Sequence, residues 1–172
     1  LDMDGNVEWS RHYLRLKGVS ARLYASQMVA EPDGIVLVGY GAKSGTDLTN
    51  NSTVQLLKTD RDGQLLWAWD YDIEVTREQV GFKIVNLPDG YLLGGTFMRT
   101  TSTAGREIFL IKTDKSGVIQ WQHAYGFVGE DRLRDLLVHG GNIFLIDSAQ
   151  SGAGSDMVIA KLKLDGTVNP AE

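Results

Sequence analysis

Apolar and polar positions alternate along most of this chain in short runs, and the runs return in a fixed order. Asn6–Tyr13, with Val7, Trp9 and Tyr13 as its large positions, predicts a strand. Leu23–Ala30 predicts a second, and Ile35–Tyr40 a short, nearly continuous apolar third of the kind buried on both faces. Thr53–Asp60 predicts a fourth. The second round reads Gln64–Tyr71, Gln79–Leu87, Tyr91–Phe97 and Glu107–Asp114. The third reads Val118–Tyr125, Arg132–Val138, Ile143–Ile146 and Asp156–Leu164. That makes twelve predicted strands in three sets of four, and no stretch calls for a helix.

The punctuation repeats with the strands. Lys58-Thr59-Asp60-Arg61-Asp62-Gly63 returns as Lys112-Thr113-Asp114-Lys115-Ser116-Gly117, with shorter copies at Asp2-Met3-Asp4-Gly5 and Lys163-Leu164-Asp165-Gly166. Gly5, Gly63, Gly117 and Gly166 therefore recur about every 50 residues. Each unit is turn chemistry: the Asp bonds downstream backbone and the Gly takes a positive φ. Calcium is the alternative reading of Asp2/Asp4 and Asp60/Asp62, but a loop site needs more oxygens and a distal Glu, which do not follow. Pro32-Asp33-Gly34 and Pro88-Asp89-Gly90 mark the other tight turns, with His139-Gly140-Gly141-Asn142 in the third round.

Self-similarity at this period, each unit an up-and-down four-stranded sheet, predicts an all-β fold of β-propeller blades; a plain sandwich or open meander is the alternative. Trp9, Trp67 and Trp121 stay in phase with Tyr13, Tyr71 and Tyr125, and Gly39 and Gly95 hold matching places where Asp147 breaks the pattern. The Asp-x-x-Gly-x-x-x-Trp spacing resembles the tryptophan-docking repeat of quinoprotein-like propellers. Pro-Asp-Gly, Val-Gly-Tyr-Gly and Leu-Ile-Lys-Thr-Asp resemble blades of secreted bacterial propeller proteins. The resemblance spans nearly the whole chain. It implies an extracellular or periplasmic location and says little of function, because such blades serve many roles. Quinoprotein dehydrogenases join their propeller to a cofactor site; no such constellation is found here, and no cofactor is expected.

One propeller unit is expected over residues 1–172, with repeats at about 1–60, 61–114 and 115–165 and a further one starting at 166–172. Three blades are too few for a usual ring. The expectation is a partial propeller or half of a six-bladed ring, completed by a protein partner, a second copy or further sequence. In this phase Asn6–Tyr13 is an outermost strand and the last blade lacks its own.

Trp9, Trp67 and Trp121 read as wedges between blades, with Tyr13, Tyr71, Tyr125, Gly5, Gly63 and Gly117 as structural companions. Trp69 is off-pattern and reads as an added packing residue. The three histidines, His12, His123 and His139, do not recur together, and no Gly-x-Ser-x-Gly elbow is present. In a meander alternate connections emerge at opposite ends. One end collects the tight turns. The other collects Leu14–Arg22, Gly41–Ser52, Asp72–Glu78, Met98–Arg106, Gly126–Asp131 and Ser148–Ser155. Binding usually lives on variable loops of a rigid scaffold. The candidate ligand or partner residues are therefore Lys43, Asp47, Asn50, Arg77, Glu78, Arg99, Arg106, Asp131, Arg132 and Asp156.

Composition narrows the partner. The net charge of −5 gives no overall basic field for nucleic acid, and no apolar run reaches the length of a membrane span. The absence of cysteine excludes disulfides and thiol chemistry. A non-catalytic binding or scaffold module acting through the loop face is the expected function, with a glycan as a possible ligand. The alternative is a glycan-active enzyme with paired carboxylates there, such as Glu78 and Asp131.

Overall fold

The computed structural model describes residues 4–13, 23–42, 52–73, 76–99, 105–126, 130–151 and 154–168. Every regular element among them is a β-strand. β1 (Leu23–Glu31), β2 (Gly34–Ala42), β3 (Ser52–Thr59) and β4 (Leu65–Tyr71) form one antiparallel meander. β5 (Thr76–Leu87), β6 (Gly90–Arg99), β7 (Arg106–Asp114) and β8 (Ile119–Tyr125) form the second. β9 (Leu133–His139), β10 (Asn142–Ser151) and β11 (Gly154–Lys163) form the third, which has three strands. No helix among the described residues is long and apolar enough to cross a membrane.

Two expectations change. Asn6–Tyr13 has strand-like sequence but is not a strand among the described residues. Among the described residues eleven strands form, in sets of four, four and three. The sheet unit also starts one strand later than the sequence repeat: the strand carrying Trp67 closes the first sheet, and the strand carrying Trp121 closes the second. The third sheet receives only Val168, which bridges Leu162 where Leu65 meets Thr59 and Ile119 meets Thr113.

The sheets pack face to face in chain order. Val36, Val38, Val54 and Leu56 of the first sheet bury themselves against Leu93, Phe97, Phe109 and Ile111 of the second. On the second sheet's other face, Leu92, Ile108 and Leu110 meet Leu136, Ile143, Leu145 and Leu162 of the third. The central sheet is thus apolar on both sides, which is why Ile108–Ile111 reads as an unbroken apolar run. Trp67 and Trp121 are half-buried and pack against the first and second core respectively, Trp67 lying 6.3 Å from the Tyr91 ring across the sheet boundary.

The Asp-x-x-Gly turns form as expected. Asp60 Oδ1 accepts from the backbone N–H of Asp62 (2.9 Å) and Gln64 (2.7 Å), and Asp114 Oδ1 from that of Ser116 (2.8 Å) and Val118 (2.9 Å). Gly63, Gly117 and Gly166 have φ of 73°, 88° and 82°, a conformation that costs a side chain energy.

A clasp joins each unit to the next, and it explains the spaced tyrosines. Tyr71 donates its hydroxyl to Gly117 O at 2.6 Å, Tyr125 to Gly166 O at 2.6 Å, and Tyr13 to Gly63 O at 2.7 Å. The residue two places before each tyrosine covers the same turn. Trp69 donates Nε1–H to Ser116 O at 2.7 Å, which gives the off-pattern tryptophan its role. His123 packs over Gly166, while Trp9 and Arg11 cover Gly63. Tyr71→Phe should cost about 1–2 kcal/mol, since the carbonyl of buried Gly117 loses its donor. A lower urea midpoint at unchanged slope is the expected result; an unmoved midpoint would mean that the clasp contributes no stability.

Candidate functional site

The long connections lie at the opposite end of the sheets from the Asp-x-x-Gly turns, but several are shorter than expected. β5 starts at Thr76 and β6 runs to Arg99, so Arg77, Glu78 and Arg99 belong to strands, not loops; their side chains lie outside the described residues. β10 and β11 continue to Ser151 and Gly154, which makes the expected Ser148–Ser155 loop a strand hairpin and puts Asp156 inside β11, exposed opposite Ala149. His139 likewise ends β9 instead of sitting in a turn. Lys43, Asp47 and Asn50 lie outside the described residues. Arg106, Asp131 and Arg132 are the candidates that the structure brings together.

They meet where Asp131 N–H donates to Arg106 O at 2.9 Å, and beside them the first strand of each sheet is bulged at one equivalent place. The register breaks between Ala25 and Gln27 in β1, between Gly81 and Lys83 in β5, and opposite Ile146/Asp147 in β9. The extra residues are Ser26, Phe82 and Arg134. A bulge re-aims its side chain and bends the strand. β1, β5 and β9 run close to one another, and beside them opens a polar hollow of about 610 Å³. Ser26 and Arg134 both line it, together with Lys83, Arg106, Arg132 and Tyr40.

The hollow is rich in cationic donors. Arg106 Nη1 and Arg132 Nη2 both donate to Glu130 Oε1, each at 2.7 Å, so two guanidinium groups share one carboxylate oxygen. They hold the Glu130 carboxyl below its usual range, Arg106 contributing most. Lys83 pairs with Asp135 at 3.1 Å. Arg134 donates Nε–H to Ser148 Oγ at 2.9 Å, a neutral partner. Four cationic side chains, Lys83, Arg106, Arg132 and Arg134, thus line one hollow, two carboxylates, Glu130 and Asp135, being paired with three of them. Backbone bonds hold the wall: Glu130 and Gln150 bond each other at 3.2 and 3.0 Å, and Asp131 N–H donates to Arg106 O at 2.9 Å.

Behind the wall lie two carboxyl groups, Asp131 and Asp147, each 1% exposed. Asp147 sits opposite Leu133 at the bulge, where the first two sheets have Gly39 and Gly95, and its Oδ1 accepts from Arg132 N–H at 2.6 Å. Burial pushes its carboxyl up to about 6 against the pull of that N–H, and neighbouring Asp131 pushes it the same way. The break at Asp147 is visible in the sequence; its pairing with Asp131 is not. Both are too deeply buried to meet a substrate, and no group of three or more His, Asp or Glu able to hold a metal occurs among the described residues.

The tight-turn end holds another ionic cluster that sequence reasoning missed. Glu31, its side chain 6% exposed, accepts from Lys115 Nζ at 2.5 Å and from Lys58 Nζ at 2.8 Å, and Lys58 also reaches Asp33 at 2.8 Å. Burial alone would raise the Glu31 carboxyl, but hydrogen bonds from Lys115 and Lys58 hold it at about 2. Lys115 crosses from the second sheet to the first and lies 4.6 Å above the Tyr91 ring, so this cluster fastens two sheets. No protein-family model matches the chain, and no curated protein matches it.

Proposed function

We propose that this chain is a non-catalytic binding or scaffold module built of β-propeller blades, and that it takes a carboxylate-bearing ligand in the hollow beside β1, β5 and β9. The observation that carries the reading is the set of guanidinium groups there: two on a single carboxylate oxygen and a third on a serine hydroxyl. Arginine forks suit planar carboxylates, and an incoming carboxylate could take Arg134 and the spare donors of Arg132 without breaking the wall. The blade reading is supported by the sheet phase and the repeated tyrosine clasp. An extracytoplasmic location belongs to the same reading and rests on the sequence resemblance alone.

The enzyme alternative has less support. Its paired carboxylates must flank a substrate, whereas Asp131, one of the expected pair with Glu78, is 1% exposed. Two probes test the binding reading: a fluorescent hexaglutamate peptide and a uronic-acid oligosaccharide, each with a neutral counterpart. At least one acidic probe should bind, weakening as salt is raised. Arg134→Ala and Arg132→Ala should each lower affinity about tenfold or more, the value of one charged hydrogen bond. If both acidic probes fail to bind, or if both variants bind as the parent does, the proposal is wrong.

A further inference from the structure

The third sheet builds its bulge around a carboxyl that its siblings do without. At the equivalent register the first two sheets have Gly39, opposite Ala25, and Gly95, opposite Gly81, and form the same break in pairing. The third has Asp147 opposite Leu133. Asp147 is 1% exposed, as is Asp131. Its Oδ1 accepts from the backbone N–H of Arg132 at 2.6 Å, while Oδ2 is buried with no donor and has the Asp131 carboxyl as its neighbour. Two adjacent carboxyl groups out of water cannot both ionise cheaply, and one proton held between them gives Oδ2 the partner it lacks.

This pair stands directly behind the cationic hollow. Asp147 holds Arg132 by its backbone, and Arg132 lines the hollow; Arg134 lines it too, and its charge acts on Asp147 in favour of the ionised form. Asp131 N–H bonds Arg106 O at 2.9 Å and so joins a third arginine of the hollow to the pair. Of the other acids here, Glu130 is held below its usual range by Arg106 and Arg132, and Asp135 by Lys83, so both keep their charge between pH 5 and pH 8. Glu107 of β7 comes near Asp131 beside Gly126. β11 sets uncharged Val158 opposite Asp147, with exposed Asp156 further along, opposite Ala149. β6 brings the Thr96 hydroxyl, which accepts from Leu133 N–H at 3.2 Å. Histidines are the other side chains that change charge in this range, and they stand apart: His123 over Gly166, His139 at the far end of β9, and His12 next to Tyr13, whose hydroxyl bonds Gly63 O.

We infer that the Asp131–Asp147 pair governs the affinity of the hollow, taking up a proton when a carboxylate ligand binds and giving it up when the ligand leaves. This rests on the binding reading above and names the regulation of its site. When Asp147 is ionised, negative charge behind Arg132 and Arg134 offsets part of the attraction that an incoming carboxylate meets. When the proton is on, that charge is gone and both guanidinium groups act on the ligand undiminished. The coupling is reciprocal: the bound carboxylate strengthens the hold of Asp147 on its proton by the same factor. In the free protein burial, with Asp131 acting the same way, raises the Asp147 carboxyl to about 6, and a bound anion raises it further. Affinity is therefore highest below about pH 6, falls as pH rises from the free to the ligand-bound value, and is level again above it.

The test titrates the 172-residue chain with the uronic-acid oligosaccharide and the hexaglutamate peptide at fixed ionic strength, from pH 5.5 to pH 8, where the carboxylates of both probes stay ionised. The parent should bind about fivefold or more weakly at pH 8 than at pH 5.5. Asp147→Asn, neutral throughout, should bind equally at both. Calorimetry at pH 6.5 in two buffers of different ionisation enthalpy should show net proton uptake as the parent binds, a measurement that needs no variant, and none for Asp147→Asn. Equal parent affinity at the two pH values, a pH dependence that Asp147→Asn retains, or binding without proton uptake would each overturn the inference and leave the binding reading standing. Failure of both probes to bind at any pH would instead remove the binding reading, and the regulation with it.

Discussion

Gly90→Ala is expected to cost about 3 kcal/mol or more and to leave little folded protein. A Cβ at Gly90 would sit 1.7 Å from Thr113 O and within 3 Å of two more backbone atoms of β7, and Gly34 meets Thr59 O of β3 at 1.8 Å. No flexible side chain is available to move aside. The glycine is required because two backbones approach closely at the start of β2 and β6, not because its φ is positive. A methyl group must push β6 away from β7, at the centre of the sheet that supplies both apolar cores. Against a typical stability of about 5–15 kcal/mol, that is a large fraction. The control is Gly141→Ala: Gly141 is open to solvent, and although its φ of 73° makes alanine unfavourable, the expected loss is only about 1 kcal/mol. Urea unfolding of both variants checks the order; similar midpoints for Gly90→Ala and the parent would refute the close-approach argument.

Strand content and order were legible because the strands are half- or fully buried meanders, and burial writes a period of two or an unbroken apolar run into the residues. Ile35–Tyr40 and Glu107–Asp114 are found within a few residues of their ends. Polar strand ends were not legible. Thr76-Arg77-Glu78 reads as loop, yet its backbone pairs with Met98 and Arg99. Asn6–Tyr13 fails in the opposite sense: its alternation and aromatic spacing match those of β4 and β8, yet it is not a strand among the described residues.

The site was partly legible. Arg106, Asp131 and Arg132 were picked as loop-face charges and do converge, but the hollow beside them is shaped by a bulge recurring in β1, β5 and β9. A bulge leaves no composition signal: its extra residues are Ser26, Phe82 and Arg134. Lys83 and Arg134 were missed because each looks like an ordinary polar position of an edge strand. Their relation to Arg106 exists only once three strands far apart in sequence lie side by side.

Asp147→Asn should make the protein more stable at pH 8, by about 2 kcal/mol, and not at pH 4. In the folded chain burial and the adjacent Asp131 raise the Asp147 carboxyl from 3.8 to about 6. A raised carboxyl means that the folded state holds its proton more tightly than the unfolded chain. Its favourable contribution is complete below about pH 4 and is lost as pH rises through about 6; above that, the ionised group weighs against folding. Two pKa units correspond to about 3 kcal/mol, an upper figure because the two carboxyl groups titrate together. Asparagine keeps the oxygen that accepts from Arg132 N–H at 2.6 Å. Its amide replaces Oδ2, which is buried without a donor, and supplies one toward Asp131 in place of a second negative charge. Urea midpoints for parent and variant between pH 4 and pH 8 should therefore diverge as pH rises. A variant less stable than the parent at pH 8, or a difference that stays constant across the range, would show that Asp147 is ionised at little cost and that a distant cation, not a shared proton, balances the pair.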